Sequence, residues 1–355
     1  MSFSKKELLR YDRQIKIPEF GLKGQKKLRE SSVLIIGCGG LGSPVSMYLA
    51  AAGVGKIGLV ENDVVDESNL QRQILYTEEN VGKSKIDLSE KRLKSLNGNL
   101  DIEKFSMRFD SSNALGIVEN YDLVIDGSDN FPTRYLVNDA CVLKNKPFVS
   151  GAIYRFEGQV SVFNYQGGPT YRDLFANPPS EEMAPNCATA GVLGMMAGIV
   201  GSLQATEAIK VLTGLGETLS GKLLLIDALG MNFRKIRIFK NPDLTPVTEL
   251  IDYEAFCGID HSVLESISFE KFKELNPEKV QLIDVREANE YEVDNLGGEL
   301  IPLSEIEEHI PRIKRDGTVV IHCQSGMRSL QAIRLLKEKY GFDNLLNLEG
   351  GMNAV

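Results

Sequence analysis

One stretch of this 355-residue chain combines a cysteine and an arginine in a short loop between a predicted strand and a predicted helix. Cys323 follows the β-branched run Thr318–Ile321, and Arg328 comes just before a helical pattern that runs to Tyr340. Backbone N–H groups of a tight loop point inward, and the start of a helix adds partial positive charge. Both features favour an anionic sulfur at Cys323, either a thiolate or a persulfide. Alone, the loop fits a detoxifying sulfurtransferase, a phosphatase-like enzyme or a redox thiol.

A second candidate site is the glycine-rich loop near the other end of the chain, residues 37–43 with the sequence GCGGLGS. It follows an apolar strand pattern and opens a helical pattern, so that Gly37, Gly39 and Gly42 allow the backbone to approach phosphate. Glu61 ends the next strand pattern, where a carboxylate accepts hydrogen bonds from ribose hydroxyls. By itself this motif fits a nicotinamide dehydrogenase equally well, or a glycine turn without a ligand.

The polar side chains that follow Glu61 favour a triphosphate over a dinucleotide. They are Asp63, Asn69, Gln71, Arg72, Gln73 and Lys85. A triphosphate attacked at one phosphorus needs many preplaced donors, because charge develops on its oxygens. Asp129 and Asn130 follow another predicted strand, where carboxylates can hold a hydrated Mg²⁺ against phosphates. Any single one of these residues is compatible with a solvated surface position, but the presence of the whole set favours a triphosphate site.

Alternating strand and helix patterns in the first half predict an α/β fold with a Rossmann-like, doubly wound sheet. Predicted strands are 33–36, 56–60, 123–126, 148–150, 223–227 and 235–239, and a predicted helix spans 42–52. Prolines and glycines in 166–186 indicate a long functional loop. The uncharged run 187–206 has glycines at helical spacing and predicts a buried helix rather than a membrane span.

The periodic patterns fade from Asn241 to Ser262, which predicts two domains. We assign residues 1–250 to the nucleotide-binding domain, 251–265 to a linker, and 266–355 to a smaller α/β domain with the Cys323 loop. The net charge of −9 argues against a nucleic-acid partner. Five cysteines without a pairing pattern, and no secretory leader, indicate a cytoplasmic protein with no membrane partner.

The motifs of the first domain resemble the MoeB/ThiF family of ubiquitin-activating-type adenylyltransferases. The matching stretches are 10–14 (RYDRQ), 37–43 (GCGGLGS), 68–73 (SNLQRQ), 81–85 (VGKSK), 126–130 (DGSDN) and 185–187 (PNC). The second domain resembles a rhodanese-like domain through 284–287 (DVRE) and 323–328 (CQSGMR). The combination is far more specific than the glycine loop alone.

The resemblance implies a first reaction, in which the C-terminal glycine of a ubiquitin-like sulfur-carrier protein, ending in Gly-Gly, attacks the α-phosphate of ATP. It implies that Arg13 acts across the interface of a homodimer, and that Asp129 is the Mg²⁺ residue. It also implies that ATP is bound by Gly37, Gly39, Gly42, Glu61, Asp63, Asn69, Arg72, Gln73, Lys85, Asp129 and Asn130.

The resemblance implies a second reaction at Cys323, whose six-residue loop has the rhodanese length that suits sulfur. A persulfide there attacks the acyl adenylate, and reduction leaves a thiocarboxylate, while Arg328 orients the loop and offsets negative charge. The sulfur donor is the persulfide of a cysteine desulfurase or thiosulfate. Cys187 fits either a resolving thiol or an inert cysteine.

The sequence also leaves three alternatives to this adenylyltransferase and sulfurtransferase function open. In the first, the chain only adenylates and its rhodanese-like part is a docking module. A nicotinamide dehydrogenase is the second, although no hydride-handling arrangement is evident and Arg13, Arg72 and Lys85 are left unexplained. A non-catalytic scaffold is the third.

The sequence departs from the family pattern at two places. Many members of the family hold a structural zinc with two Cys-x-x-Cys pairs, whereas Thr170 and Asp173 stand at the first pair and 241–248 contains no cysteine. We therefore predict no zinc, because a tetrathiolate site lacks all four ligands. The chain also stops at Val355, soon after Gly351, and we expect this abridged end to weaken the second domain or expose Cys323.

Overall fold

The computed structural model describes residues 3–179, 191–258, 266–324 and 326–355. The chain divides into two compact units, Met1–Cys257 and Gly258–Val355. Each unit has its own sheet and its own buried apolar side chains.

A mixed sheet forms the centre of the first unit. Its strands are β1 (Ser32–Ile36), β2 (Lys56–Val60), β3 (Asp101–Phe105), β4 (Leu123–Asp126), β5 (Phe148–Tyr154), β6 (Glu157–Phe163), β7 (Lys222–Asp227) and β8 (Asn232–Arg237). They lie in the order β3-β2-β1-β4-β5-β6-β7-β8, with parallel pairing from β3 to β5 and antiparallel pairing from β5 to β8. The connection order reverses between β1 and β4, and ligands of such sheets bind at the carboxyl ends of the strands near this point.

Helices cover both faces of this sheet, which confirms the doubly wound α/β prediction. They are α1 (Lys5–Arg10), α2 (Asp12–Ile15), α3 (Gly21–Glu30), α4 (Gly42–Ala52), α5 (Lys85–Leu96), α6 (Ala114–Val118), α7 (Phe131–Leu143), α8 (Tyr171–Leu174), α9 (Gly194–Thr213) and α10 (Tyr253–Phe256). Continuous apolar runs in β1, β2 and β4 are buried, as expected of parallel strands covered on both faces.

The glycine-spaced helix α9 packs directly on α4. A Cβ atom at Gly201 would lie 2.4 Å from Cγ of Pro44, so that only glycine permits this approach. Among the residues that the structure describes, no helix is both long and apolar enough to cross a membrane.

The edge strand β8 begins earlier than the pattern of its side chains predicts. The expected strand 235–239 is wrong in its bounds, because β8 starts at Asn232, directly opposite Asp227 of β7. Asp227 accepts a hydrogen bond from the N–H of Leu229 at 3.0 Å, which fixes the turn and thereby the register of the hairpin. Apolar periodicity in an exposed edge strand gives no information on this register.

The linker predicted at 251–265 includes α10, which belongs to the first unit. Tyr253 is buried and its hydroxyl donates to Oδ2 of Asp139 at 2.8 Å, which ties this helix to α7. Residues 259–265 lie outside the described residues.

The second unit is a smaller parallel sheet with the strand order β11-β10-β12-β13-β9. Its elements are β9 (Ser266–Ile267), α11 (Phe269–Glu274), β10 (Val280–Asp284), α12 (Ala288–Val293), β11 (Glu299–Leu300), β12 (Thr318–His322), α13 (Met327–Tyr340) and β13 (Leu345–Leu348). The buried central strand β12 leads directly into the loop with Cys323, and α13 starts where the loop ends.

Candidate active sites

The glycine loop turns sharply between β1 and α4, and two of its glycines are required by its geometry. Gly37 has a φ of +89°, and a Cβ there would lie 3.0 Å from the carbonyl oxygen of Gly127. A Cβ at Gly42 would lie 2.0 Å from the carbonyl oxygen of Gly37. Helix α4 begins without a side-chain cap, and in its first turn the N–H of Ser43 donates to the carbonyl of Gly39 at 2.9 Å. The partial positive charge at the start of such a helix favours an anion.

Glu61 joins the end of β2 to the glycine loop. One carboxylate oxygen accepts the N–H of Cys38 at 2.9 Å, and the other accepts those of Asn62 and Asp63 at 2.9 and 3.0 Å. These three backbone donors fix the carboxylate beside the loop. The carboxylate can accept one more hydrogen bond. In a nucleotide with its phosphates at the glycine loop, the ribose hydroxyls would be the donors.

Lys85 is a buried cation at the first position of α5. Its side chain is only 5% exposed, and Nζ lies 2.5 Å from Oδ2 of Asp63, a carboxylate that is 62% exposed. The backbone N–H of Lys85 also donates to the carbonyl of Asp63 at 3.0 Å. The ammonium is therefore held in place and can exchange a solvated carboxylate for a phosphate oxygen.

Gln73 presents an unused acceptor beside the glycine loop. It is buried, its Oε1 has no hydrogen-bond partner, and its Nε2 would lie 3.6 Å from a Cβ at Gly39. Arg72 packs its aliphatic carbons near Gly40 and donates from Nη1 to the carbonyl of Ser68 at 3.0 Å. Asn69 ends the preceding 3₁₀ turn, and its Oδ1 accepts the N–H of Asp66 at 3.3 Å within that turn. The structure therefore brings Gln73 and Arg72 to one edge of the loop.

Asp129 and Asn130 follow β4 at the carboxyl edge of the sheet, and both are exposed. Asn130 caps α7 by accepting the N–H of Thr133 at 2.9 Å, which fixes the start of that helix. Asp126, at the end of β4, is fully buried, and this burial raises the pKa of its carboxyl. Its carboxylate accepts both the N–H and the hydroxyl of Ser128, which leaves Asp129 as the accessible carboxylate.

Arg13 is exposed on α2, at the opposite end of α4 from the glycine loop. The neighbouring Gln14 donates to the carbonyl of Ala52, the last residue of α4, at 3.0 Å. Helix α4 has 11 residues, so Ala52 lies about 15 Å along the helix from Gly42, at 1.5 Å per residue. The structure therefore does not bring Arg13 to the glycine loop of its own chain.

The family pattern would place a zinc between residues 170–173 and 241–248, where the carboxylate of Asp173 accepts hydrogen bonds in this structure. Its Oδ2 accepts the N–H and the hydroxyl of Thr170 at 2.6 and 2.9 Å, and its Oδ1 accepts the N–H of Asn241 at 2.7 Å. One carboxylate thus joins the two stretches in which the family pattern predicts cysteine pairs. A hydroxyl and an already occupied carboxylate do not fit a zinc site. Within the described ranges, no three His, Cys, Asp or Glu side chains are grouped as metal ligands.

Cys323 lies at the bottom of its loop and is only 1% exposed. The Sγ atom accepts the N–H of Gly326 at 3.1 Å and lies 3.6 Å from the hydroxyl of Ser329. The N–H of Gly326 and the start of α13 stabilise negative charge on sulfur, whereas the Ser329 hydroxyl is closer to Oδ1 of Asn347, at 2.7 Å. Ser325 lies outside the described residues.

The last residues of the chain support the Cys323 loop. The N–H of Met352 donates to the carbonyl of Cys323 at 2.9 Å, and Gln324 and Asn353 are joined by two hydrogen bonds. A Cβ at Gly351 would lie 2.1 Å from the same carbonyl oxygen, so glycine is required there. The expectation that the abridged end exposes Cys323 is wrong, because these residues pack against its loop.

Arg328 forms an ion pair with Glu290 that the sequence did not predict. Both guanidinium Nη atoms donate to the Glu290 carboxylate at 2.6 Å. The pKa of Arg328 is raised chiefly by these hydrogen bonds and also by the charge of Cys323. Since 38 residues separate the partners, no local sequence signal could have identified Glu290.

The remaining cysteines differ in their surroundings. Cys38 is buried inside the glycine loop, and burial raises the pKa of its thiol to about 12. Burial also raises the pKa of the Cys141 thiol well above its ordinary value and that of Cys257 to about 11. All three are therefore poor nucleophiles at neutral pH. Cys187 lies outside the described residues.

Comparison with known proteins decides the family of this chain. A family model described as the ThiF family matches residues 11–247. The chain belongs to the ThiF family. A second model, described as a rhodanese-like domain, matches residues 268–355, so the Cys323 loop lies in a rhodanese-like unit.

Curated relatives of this ThiF-family chain share both units. It is 45% identical over 368 residues to the probable adenylyltransferase/sulfurtransferase MoeZ of Mycobacterium tuberculosis, covering 99% of this chain and 94% of the relative. It is 40% identical to the adenylyltransferase and sulfurtransferase MOCS3 of Xenopus laevis, covering 98% and 86%. The chain is accordingly an adenylyltransferase and sulfurtransferase, and the adenylyltransferase activity implies the use of ATP.

Two further likenesses concern the ThiF unit. The chain is 52% identical over 270 residues to the sulfur carrier protein adenylyltransferase of Thermus thermophilus, covering 73% of this chain and all of the relative. The crystal structure of Escherichia coli MccB with ATP superposes with a TM-score of 0.59 at 23% identity, covering 66% of this chain and 73% of that one. The latter likeness shows the fold alone.

Proposed function

We propose that this chain adenylates the C-terminal glycine of a ubiquitin-like sulfur-carrier protein and then converts that glycine to a thiocarboxylate. The observation that carries the proposal is the presence, on one chain, of an uncapped glycine loop at 37–42 and a persulfide-type loop at Cys323. The relative named a sulfur carrier protein adenylyltransferase supports this class of substrate.

The ThiF unit binds ATP through side chains already arranged around the glycine loop. Gly37, Gly39 and Gly42 bring backbone N–H groups to the phosphates, and Glu61 accepts from the ribose. Lys85 leaves Asp63 for a phosphate oxygen, since the exposed Asp63 is readily solvated without it. Further phosphate contacts come from Asn69, Arg72, Gln73 and Asn130.

In the first reaction, a carboxylate oxygen of the carrier attacks the α-phosphorus while the bond to the β-phosphate oxygen breaks. The products are an acyl adenylate and pyrophosphate. Negative charge develops on the phosphate oxygens, and Lys85 and Arg72 stabilise it most because they are positioned before the reaction begins. Lys85 is also shielded from water, which strengthens its interaction with phosphate.

The donor set fits a phosphate-bound Mg²⁺. Mg²⁺ in nucleotide sites is held by one or two carboxylates together with phosphate oxygens and water. Asp129 is the accessible carboxylate at the carboxyl edge of β4, whereas Asp126 is buried and its oxygens are occupied. When bound, Mg²⁺ would neutralise charge on the phosphates.

We further propose a homodimer in which the partner's Arg13 completes the adenylation site. Arg13 is exposed and precedes Gln14, which contacts Ala52 about 15 Å along α4 from Gly42 of the same chain. Its side chain cannot span that distance, so a contribution to catalysis requires a second subunit.

In the second reaction, Cys323 carries a persulfide whose outer sulfur attacks the acyl carbon of the adenylate and releases AMP. The sulfur comes from the persulfide of a cysteine desulfurase or from thiosulfate. A thiol then attacks Sγ of Cys323 in the acyl persulfide, so that the S–S bond breaks and the carrier leaves as a thiocarboxylate. An external thiol serves as this thiol, and a second one reduces the resulting disulfide. Cys187, outside the described residues, fits either a resolving thiol or an inert cysteine.

The carrier docks on the edge strand β8. Among the strands that the structure describes, it pairs with β7 alone, and all its residues are exposed. Phe233 is 55% exposed, Met231 in the preceding turn is 70% exposed, and basic side chains such as Arg234 lie between the apolar ones. An unpaired edge with apolar and basic side chains suits a small β-sheet protein that adds a strand and carries acidic residues.

The test of this function is incubation of the full chain with ATP, Mg²⁺, a sulfur donor and candidate carriers that end in Gly-Gly. Intact-mass analysis should show one oxygen of the carrier replaced by sulfur. A carrier without its last glycine is the matched control and should be unchanged. Pyrophosphate release without carrier modification, for every donor supplied, would contradict the second reaction.

A further inference from the structure

Glu290 forms an ion pair with Arg328, one of two arginines at the Cys323 loop; the other, Arg286, donates to Oε1 of Gln324 at 3.2 Å. Both Nη atoms of Arg328 donate to the two oxygens of Glu290 at 2.6 Å, which is the bidentate geometry of strong arginine–carboxylate pairs. The side chains of Arg328 and Glu290 are 22% and 30% exposed. The pair is thus only partly screened by water and retains much of its attraction.

Glu290 is also held independently of Arg328. Its Oε2 accepts the N–H of Glu287 at 3.0 Å and completes a capping box at the start of α12. If Arg328 turned away to bind an anion, this carboxylate would stay at the same place. An anionic donor therefore meets a neutralised arginine and a fixed negative charge.

The charge of the donor matters in the loading step of Cys323. The cysteine thiolate attacks the outer sulfur of the donor, the donor's S–S bond breaks, and the leaving group departs with the electron pair. For thiosulfate, both the donor and the leaving sulfite carry two negative charges. For a thiol persulfide or an organic thiosulfonate, the reacting group and its leaving group carry one.

We propose that Glu290 is a specificity-determining residue that disfavours dianionic sulfur donors at Cys323, so that the site is loaded by monoanionic donors such as the persulfide of a thiol. This inference rests on the sulfurtransferase function proposed above and selects one donor class for it.

The test compares thiosulfate with benzenethiosulfonate, a monoanion, as donors to cyanide in the full chain. The wild type should show the higher kcat/KM with benzenethiosulfonate. Glu290→Gln should raise kcat/KM for thiosulfate about tenfold and leave the value for benzenethiosulfonate within about twofold, because one negative charge near the sulfur is removed. Glutamine also serves in a capping box, so α12 keeps its start. Glu292→Gln, exposed on the same helix, is the matched control and should change neither donor.

Each other result overturns the inference in a recognisable way. Wild-type preference for thiosulfate would refute it without any variant. Equal gains for both donors in Glu290→Gln, or the same selective gain in Glu292→Gln, would show that Glu290 does not select by charge. Activity with neither donor in the wild type would overturn both this inference and the sulfurtransferase function. Equal kcat/KM for the two donors would overturn this inference and leave the sulfurtransferase function standing.

Discussion

Replacing Lys85 by methionine is the sharpest perturbation of the adenylation site. Methionine keeps the apolar stem of the side chain but removes an ammonium that is only 5% exposed. Because the position is shielded, neither water nor another cation can replace the lost charge. Removing one preplaced donor from developing charge costs about 3–4 kcal/mol, a factor of about 10²–10³ in rate.

The stability of the protein should change little in this variant. Asp63, the partner of Lys85, is 62% exposed and is solvated when the ammonium is removed. The assay is carrier-dependent ATP–pyrophosphate exchange, with thermal unfolding measured in parallel. Lys91→Met, at an exposed position of the same helix, is the matched control and should keep wild-type exchange. Exchange in Lys85→Met within about threefold of wild type would refute the assignment of Lys85 to a phosphate.

Three further outcomes are expected. Arg13→Ala and Lys85→Met should each be nearly inactive alone, but a mixture of the two should recover up to about a quarter of wild-type exchange. Random pairing makes half of the dimers mixed, and one of the two sites in each mixed dimer is intact. Absence of recovery would argue against a site shared between subunits. Phe233→Lys should raise the KM for the carrier while ATP binding measured by calorimetry is unchanged, and an unchanged carrier KM would remove β8 as the docking strand. Asp173→Ala should lower the free energy of unfolding in urea by about 2 kcal/mol, whereas Asp243→Ala, at an exposed position, should not change it. Chelators should leave the free energy of unfolding of the wild type unaltered. A lower value with chelator would reveal a bound metal.

Local patterns predicted the elements that lie inside the sheets. The bounds of α4, β2 and β4 agree with the sequence patterns, because continuous apolar runs and flanking glycines fix buried elements. The carboxyl edge of β1 and β4 brings the glycine loop and Asp129 to one region, as the strand order of a doubly wound sheet requires. Exposed strand β8 was misplaced because its register depends on the Asp227 turn rather than on burial.

Contacts between distant residues could not be predicted from the sequence. The pairing of Glu290 with Arg328, the bridge from Asp173 to Asn241, and the support of the Cys323 loop by the chain end all join residues far apart. The local sequence around these residues predicts only local contacts, such as the capping box that Glu290 completes. Only the folded backbone shows which of these groups meet.

The central claim is that one chain holds two separable sites, one for adenylation and one for sulfur transfer. The most direct measurement uses Cys323→Ala in both assays with the same carrier. Pyrophosphate exchange should stay near the wild-type rate, and thiocarboxylate formation by intact mass should be abolished. Collapse of exchange in the folded variant, or thiocarboxylate formed without Cys323, would contradict this division.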